Sequence, residues 1–228
     1  MNQFNFSALA HAWPYLMDGL ATTTMLTVIS MILGIILGAA LALTRMFGPK
    51  WLSGMSRLYV DTLRSIPLLL TIYWVFFLIP PVLRSLTGNA NLDVGPVYAA
   101  VTAFVLAEAA YFGEIIRGGI GGVRSGQMQA ATALGMTKIT ALRMVVLPQA
   151  LRNMMPSLVN QGIALFMDTS LVYVISLNDF LGAASKVAQR DGTLVEVYLF
   201  VAVVYLVICS LGSMTVHLLQ RKNAVLSR

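Results

Sequence analysis

The chain has 228 residues, of which 58% are hydrophobic and 11% charged, with a net charge of +6. A soluble domain carries about 45–50% apolar and about 25% charged residues, so this composition excludes a water-soluble fold and points to lipid as the solvent. The lysines and arginines stand singly between apolar runs, a pattern that fits membrane orientation and not a nucleic-acid-binding face; the one cysteine, Cys209, excludes a disulfide framework or a thiolate metal site.

Residues 1–18 lack the positive charge and small-residue cleavage site of a removable signal peptide. Phe4, Phe6, Leu9, Trp13 and Leu16 are spaced like one face of a short amphipathic helix lying at the membrane interface. No charge interrupts the chain between Asp18 and Arg45, which gives a first span. Within it, Gly34 and Gly38 form a small-xxx-small pair suited to close helix packing. A second span is expected over 58–83, with Pro67 kinking the helix or starting a new one. A third runs over 94–116 and carries Glu108, a fourth over 155–177 with Asn160, Gln161 and Asp168, and a fifth over 197–219. The fold class is therefore an all-α integral membrane protein with five transmembrane helices, in one membrane domain spanning 1–228.

Orientation follows from the basic residues. Twelve of them fall on one side of the five spans and three (Arg84, Lys186 and Arg190) on the other. Positive loops stay in the cytoplasm, so the N-terminus is expected outside and the C-terminus inside. The connection over 118–156 then lies in the cytoplasm, and it reads as two short helices broken at Gly135, where a positive φ permits a sharp turn.

That connection carries Gln129, Ala130, Ala131, Gly135, Val145, Leu147 and Pro148 at fixed spacings. The pattern resembles the E-A-A-x3-G-x9-I-x-L-P loop of permease subunits of bacterial ATP-binding-cassette importers, with glutamine in place of the usual glutamate and valine in place of isoleucine. Ala110–Ile120 and Arg64–Leu68 resemble the polar amino-acid uptake branch, and Asp168–Tyr173 with Arg190–Thr193 resemble its glutamate/aspartate permeases. The resemblance implies a multi-pass protein of the bacterial inner membrane whose 118–156 loop couples to the ATPase. It implies two cytoplasmic ATP-binding-cassette ATPase subunits, a second and similar but non-identical permease, and an extracytoplasmic substrate-binding protein. ATP and Mg would be bound by the ATPase; this chain would hold no cofactor and no catalytic or metal site. The absence of a G-x-x-x-x-G-K-[ST] phosphate loop agrees with that division of labour.

Ionisable residues inside a bilayer suggest a pathway by default. Arg64, Glu108, Gln161 and Asp168, with Thr169 and Ser170 beside them, are the pathway candidates. Two readings stand for Glu108, Gln161 and Asp168: contact with the ammonium and carboxylate of an amino acid, or hydrogen bonding between helices, the latter favoured for Glu108. Glu114–Arg117 and Asp61–Arg64, each three apart, have the spacing of helical ion pairs. Arg64 is the one cation near the expected route, which sits uneasily with an acidic substrate. The alternative is a secondary amino-acid transporter driven by an ion gradient, with Glu108 or Asp168 carrying a proton.

Overall fold

Eight helices joined by short turns account for the residues described by this computed structural model, 7–91 and 93–226, with no strand among them. They are α1 (Ser7–Phe47), α2 (Lys50–Ser65), α3 (Leu68–Thr87), α4 (Pro96–Gly121), α5 (Ser125–Ala133), α6 (Lys138–Ile175), α7 (Phe180–Asp191) and α8 (Leu194–Leu226). Five of these, α1, α3, α4, α6 and α8, are long and apolar enough to cross a membrane, as the sequence requires.

No boundary falls at Asp18. Residues 7–18 are the first turns of α1, one continuous helix that runs for about 60 Å at 1.5 Å per residue. Leu9 and Leu16 are buried there against Phe180 and Val187 of α7 and Val197 of α8, so two of the three described residues of the expected stripe pack on protein. Trp13 remains half exposed, its ring 6.2 Å from that of Phe200. Phe4 and Phe6 lie outside the described residues.

The second span also starts later than its apolar run suggests. Residues 58–65 belong to α2, and Pro67 starts a new helix. A proline disfavours helical backbone in the residue before it, and Ile66 accordingly adopts φ −98° and ψ 134°. Further along α3, Pro80 and Pro81 cannot donate to carbonyls one turn back, and the helix widens into a π-type turn over Trp74–Leu78 just before them.

Helix α4 is the hub. Ala99, Ala100, Ala103, Ala107, Ala109 and Ala110 are all buried along it, and such small side chains let neighbouring helices approach closely. The closest neighbour is α1, through the glycine pair: a Cβ on Gly38 would lie 2.7 Å from the Gly113 nitrogen, and one on Gly34 would lie 3.0 Å from the Glu108 Cβ. Three apolar clusters surround this axis. One joins α1, α7 and α8, one joins α3, α4 and the end of α6 around Phe104, and one joins α4 to the start of α6 around Phe112.

The connection expected as two short helices has a different second arm. Helix α5 ends in a Schellman turn: Gly135, at φ 84°, donates to the Thr132 carbonyl, and Met136 donates to that of Ala131. Beyond it the chain does not form another short helix. Thr137 caps the Thr140 amide, and α6 then continues from Lys138 through a π-type turn at Leu142–Val146 to Asp168 and Ile175.

Candidate functional site

At the middle of α4, Glu108 is 1% exposed, enclosed by α1 at Gly34 and by α6. Gln161 of α6 donates its amide to both carboxyl oxygens, at 3.2 and 3.1 Å. An unsatisfied carboxyl at this depth would be costly, so the pair forms a polar link between two spans.

Asp168, two turns along α6 from Gln161, lies near enough to Glu108 for their charges to interact. Ser157 and Asn160 turn toward α8, where they line a polar groove with Ser213 and His217. Asp168 is half buried at the last α-helical residue. Past it the helix tightens to 3₁₀ geometry, and Thr169 is buried with its hydroxyl donating 2.7 Å to the Phe166 carbonyl. Ser170 is half buried on the same turn.

A charged cluster lies two turns along α4 from Glu108. Glu114 accepts from Arg117, as its spacing suggests, and also from Arg45 at the end of α1, 2.8 Å away. The sequence gives no sign of Arg45, because 69 positions separate it from Glu114. The second expected pair is replaced. Asp61 meets Arg57, one turn back at 3.4 Å, leaving the exposed Arg64 to place its guanidinium carbon 5.5 Å from the centre of the Tyr111 ring. Tyr59, on the same helix, donates 2.7 Å to the Leu106 carbonyl, so α2 lies against the middle of α4.

The α5–α6 hairpin presents the motif residues. Ala131 is buried in its seam, while Gln129, Ala130, Gly135, Leu147 and Pro148 are exposed and Val145 is half buried. Gln149 donates to Gln127 across the arms at 3.2 Å. Leu134 at the turn is 81% exposed, and Ile139 and Met144 are 67% and 70% exposed. An apolar hollow of about 430 Å³, bounded by Phe47, Met128, Ile139 and Leu142, lies between the hairpin and the end of α1. Among the described residues no cluster of His, Cys, Asp and Glu could hold a metal.

One further buried group has a local signal that sequence reading passed over. Asp179 caps α7, its carboxyl accepting from Gly182 at 2.9 Å and Leu181 at 3.1 Å. The Phe180 amide donates to buried Thr23 of α1. An aspartate directly before an apolar helical segment is an N-cap signature.

A sequence profile of the family described as "binding-protein-dependent transport system inner membrane component" matches residues 30–225. The chain belongs to that family. It is a non-catalytic permease subunit, and ATP hydrolysis is the work of a partner ATPase. It is 42% identical over 224 residues to the glutamate/aspartate import permease protein GltK of Escherichia coli O6:H1, covering 98% of this chain and all of that one. It is 36% identical to the L-cystine transport system permease protein TcyB of Bacillus subtilis, covering 92% and 87%. A crystal structure of an amino acid ABC transporter with histidines superposes with a TM-score of 0.86 at 29% identity, covering 97% and 100%. A chain of the methionine transporter MetNI, at 19% identity and TM-score 0.70, shares the fold. The relatives bear out the importer family and give no support to the gradient-driven alternative.

Proposed function

We propose that this permease is one of two similar, non-identical membrane chains of an ATP-driven importer of glutamate or aspartate in the bacterial inner membrane. Its N-terminus lies outside and its C-terminus in the cytoplasm, in keeping with twelve basic residues against three. Trp13 and Tyr15, exposed on the first turns of α1, suit the outer interface expected for 1–18. An extracytoplasmic binding protein delivers the amino acid, and two cytoplasmic ATPases bind ATP and Mg and close on the residues 118–156. Likeness to GltK supports the substrate. The acids along the route count against that substrate, and what would meet its carboxylate is the exposed Arg64, resting on Tyr111, together with the helix N-terminus opened at Pro67. Gln161, Glu108, Asp168, Thr169 and Ser170 border that route, Gln161 and Glu108 by fixing the angle between α4 and α6.

The observation that carries the coupling is the hairpin tip. Leu134, Ile139 and Met144 form an uncovered apolar edge beside the family motif, and an apolar edge of this kind requires a partner. Tagged complexes purified in mild detergent provide the test. Leu134→Glu alters no internal packing, so the chain should reach the membrane in normal amount yet lose its ATPase and its ATP-dependent glutamate uptake in proteoliposomes. Full retention of the ATPase would refute the coupling role. Uptake of glutamine or cystine in preference to glutamate would refute the substrate while leaving the coupling intact.

A further inference from the structure

Where α6 and α8 cross, the seam changes character along its length. Toward Asp168 it is an apolar slot of about 280 Å³ bordered by Phe166, Ile163, Cys209 and Met31, where Ile163 packs onto Gly212 and Met31 onto Gly162. Toward the C-terminus of α8 it becomes a polar groove of about 260 Å³ whose hydrogen-bonding groups are Ser157, Asn160, Ser213, His217 and Gln220. A third hollow shares Ser213 and His217 with the groove and Cys209 with the slot, and it carries Arg221, one turn beyond His217. No Asp or Glu lines any of the three.

We propose that this seam binds one anionic phospholipid, its phosphodiester against His217, Arg221 and the hydroxyl and amide groups of the groove, and one acyl chain in the Gly162–Gly212 slot. Charge selects the headgroup, because donors and a fixed cation without any carboxylate favour an anion. Shape selects the tail. The slot's volume of about 280 Å³ is too small to take a helix, about 10–12 Å across with its side chains, but can take a stretch of linear hydrocarbon chain. The axis also agrees: the polar groove lies at the C-terminal end of α8 and the apolar slot nearer its middle, as a lipid stands in one leaflet. Assigning that leaflet to the cytoplasmic side rests on the orientation under Proposed function; the site itself does not.

Cys209, the one cysteine of the chain, lines the slot and so reports its occupancy without an engineered label. The test is the rate at which N-ethylmaleimide alkylates Cys209 in the purified importer, read by mass spectrometry of its peptide during titration with phosphatidylglycerol or phosphatidylcholine. Phosphatidylglycerol should slow alkylation at concentrations where phosphatidylcholine does not. The variant His217→Asn/Arg221→Gln, altered only at exposed positions, should need more phosphatidylglycerol, by about fivefold for the arginine alone. Equal protection by the two lipids, or an unchanged requirement in the variant, would overturn the proposal. So would a Cys209 that is unreactive without lipid and cross-links to the second permease, since the seam would then be a protein interface.

Discussion

Replacing Gln161 with leucine should do more harm than replacing Glu108. The two side chains are bonded to each other, but their surroundings differ: Glu108 is almost fully enclosed, whereas Gln161 is half exposed. In Gln161→Leu, which nearly conserves volume, the carboxyl loses both hydrogen bonds that reach it among the described residues. Stranding a buried polar group costs about 1–3 kcal/mol. In Glu108→Leu the freed amide is only half-buried and borders the proposed route, where water can replace the carboxyl, and the cost should fall below about 1 kcal/mol. The double variant removes both polar groups and should recover part of the loss, giving a coupling of about 1 kcal/mol in a double-mutant cycle. The assay is thermal unfolding of the purified complex, where about 2–4 °C corresponds to each kcal/mol for a chain of this size. Gln161→Leu should therefore lower the midpoint by several degrees, and Glu108→Leu/Gln161→Leu by less than that. A double variant less stable than either single one would show that the pair is not the link between α4 and α6.

Two other outcomes follow from the packing and the cap. Gly38→Val would drive a Cβ against the Gly113 nitrogen and the Ala109 carbonyl, both backbone atoms that cannot turn aside; overpacking of this kind costs about 1–3 kcal/mol or more, so the folded yield in size-exclusion chromatography should fall sharply while Gly54→Val, with open space around it, is tolerated. Burial pushes the Asp179 carboxyl up to about 6, against the opposing pull of its backbone hydrogen bonds. The folded state then holds a proton that the unfolded chain releases near pH 4, so this contribution to stability is full below about pH 4, declines as pH rises to about 6, and is flat beyond. Midpoints measured from pH 4 to 8 should show the decline, and Asp179→Asn, which keeps a capping oxygen, should remove it.

The spans were legible because composition and length decide them, and so were the local devices. Pro67 breaks a helix through its own ring, Gly135 turns through its own φ, and Glu114 reaches Arg117 within one turn. The misreadings arose where a local pattern competed with tertiary packing. The stripe at Leu9 and Leu16 is the same whether it faces lipid or α7, and nothing in those residues distinguishes the two. Asp61 stands within reach of cations on both sides, and the choice of Arg57 follows from Arg64 resting on Tyr111, 47 positions away. Gln161 was marked as polar inside a span, but its partner lies 53 residues off and becomes visible only when α1, through its glycines, lets α4 approach.

The course of α6 has a mechanical consequence. The turn at Gly135 leads into the helix that carries the Gln161 amide, and between Lys138 and Asp168 that helix is interrupted at two places, the widened turn at Leu142–Val146 and Pro156 in its interior. Under the coupling proposed above, torque applied at the hairpin would reach the interior as rotation of this helix. Since each residue advances a helix by about 100°, adding a single residue beyond the widened turn would leave both ends folded but point Gln161 a quarter-turn away from Glu108. Under the coupling proposed above, rotational phase along this helix would set how the hairpin and the buried pair are timed to one another.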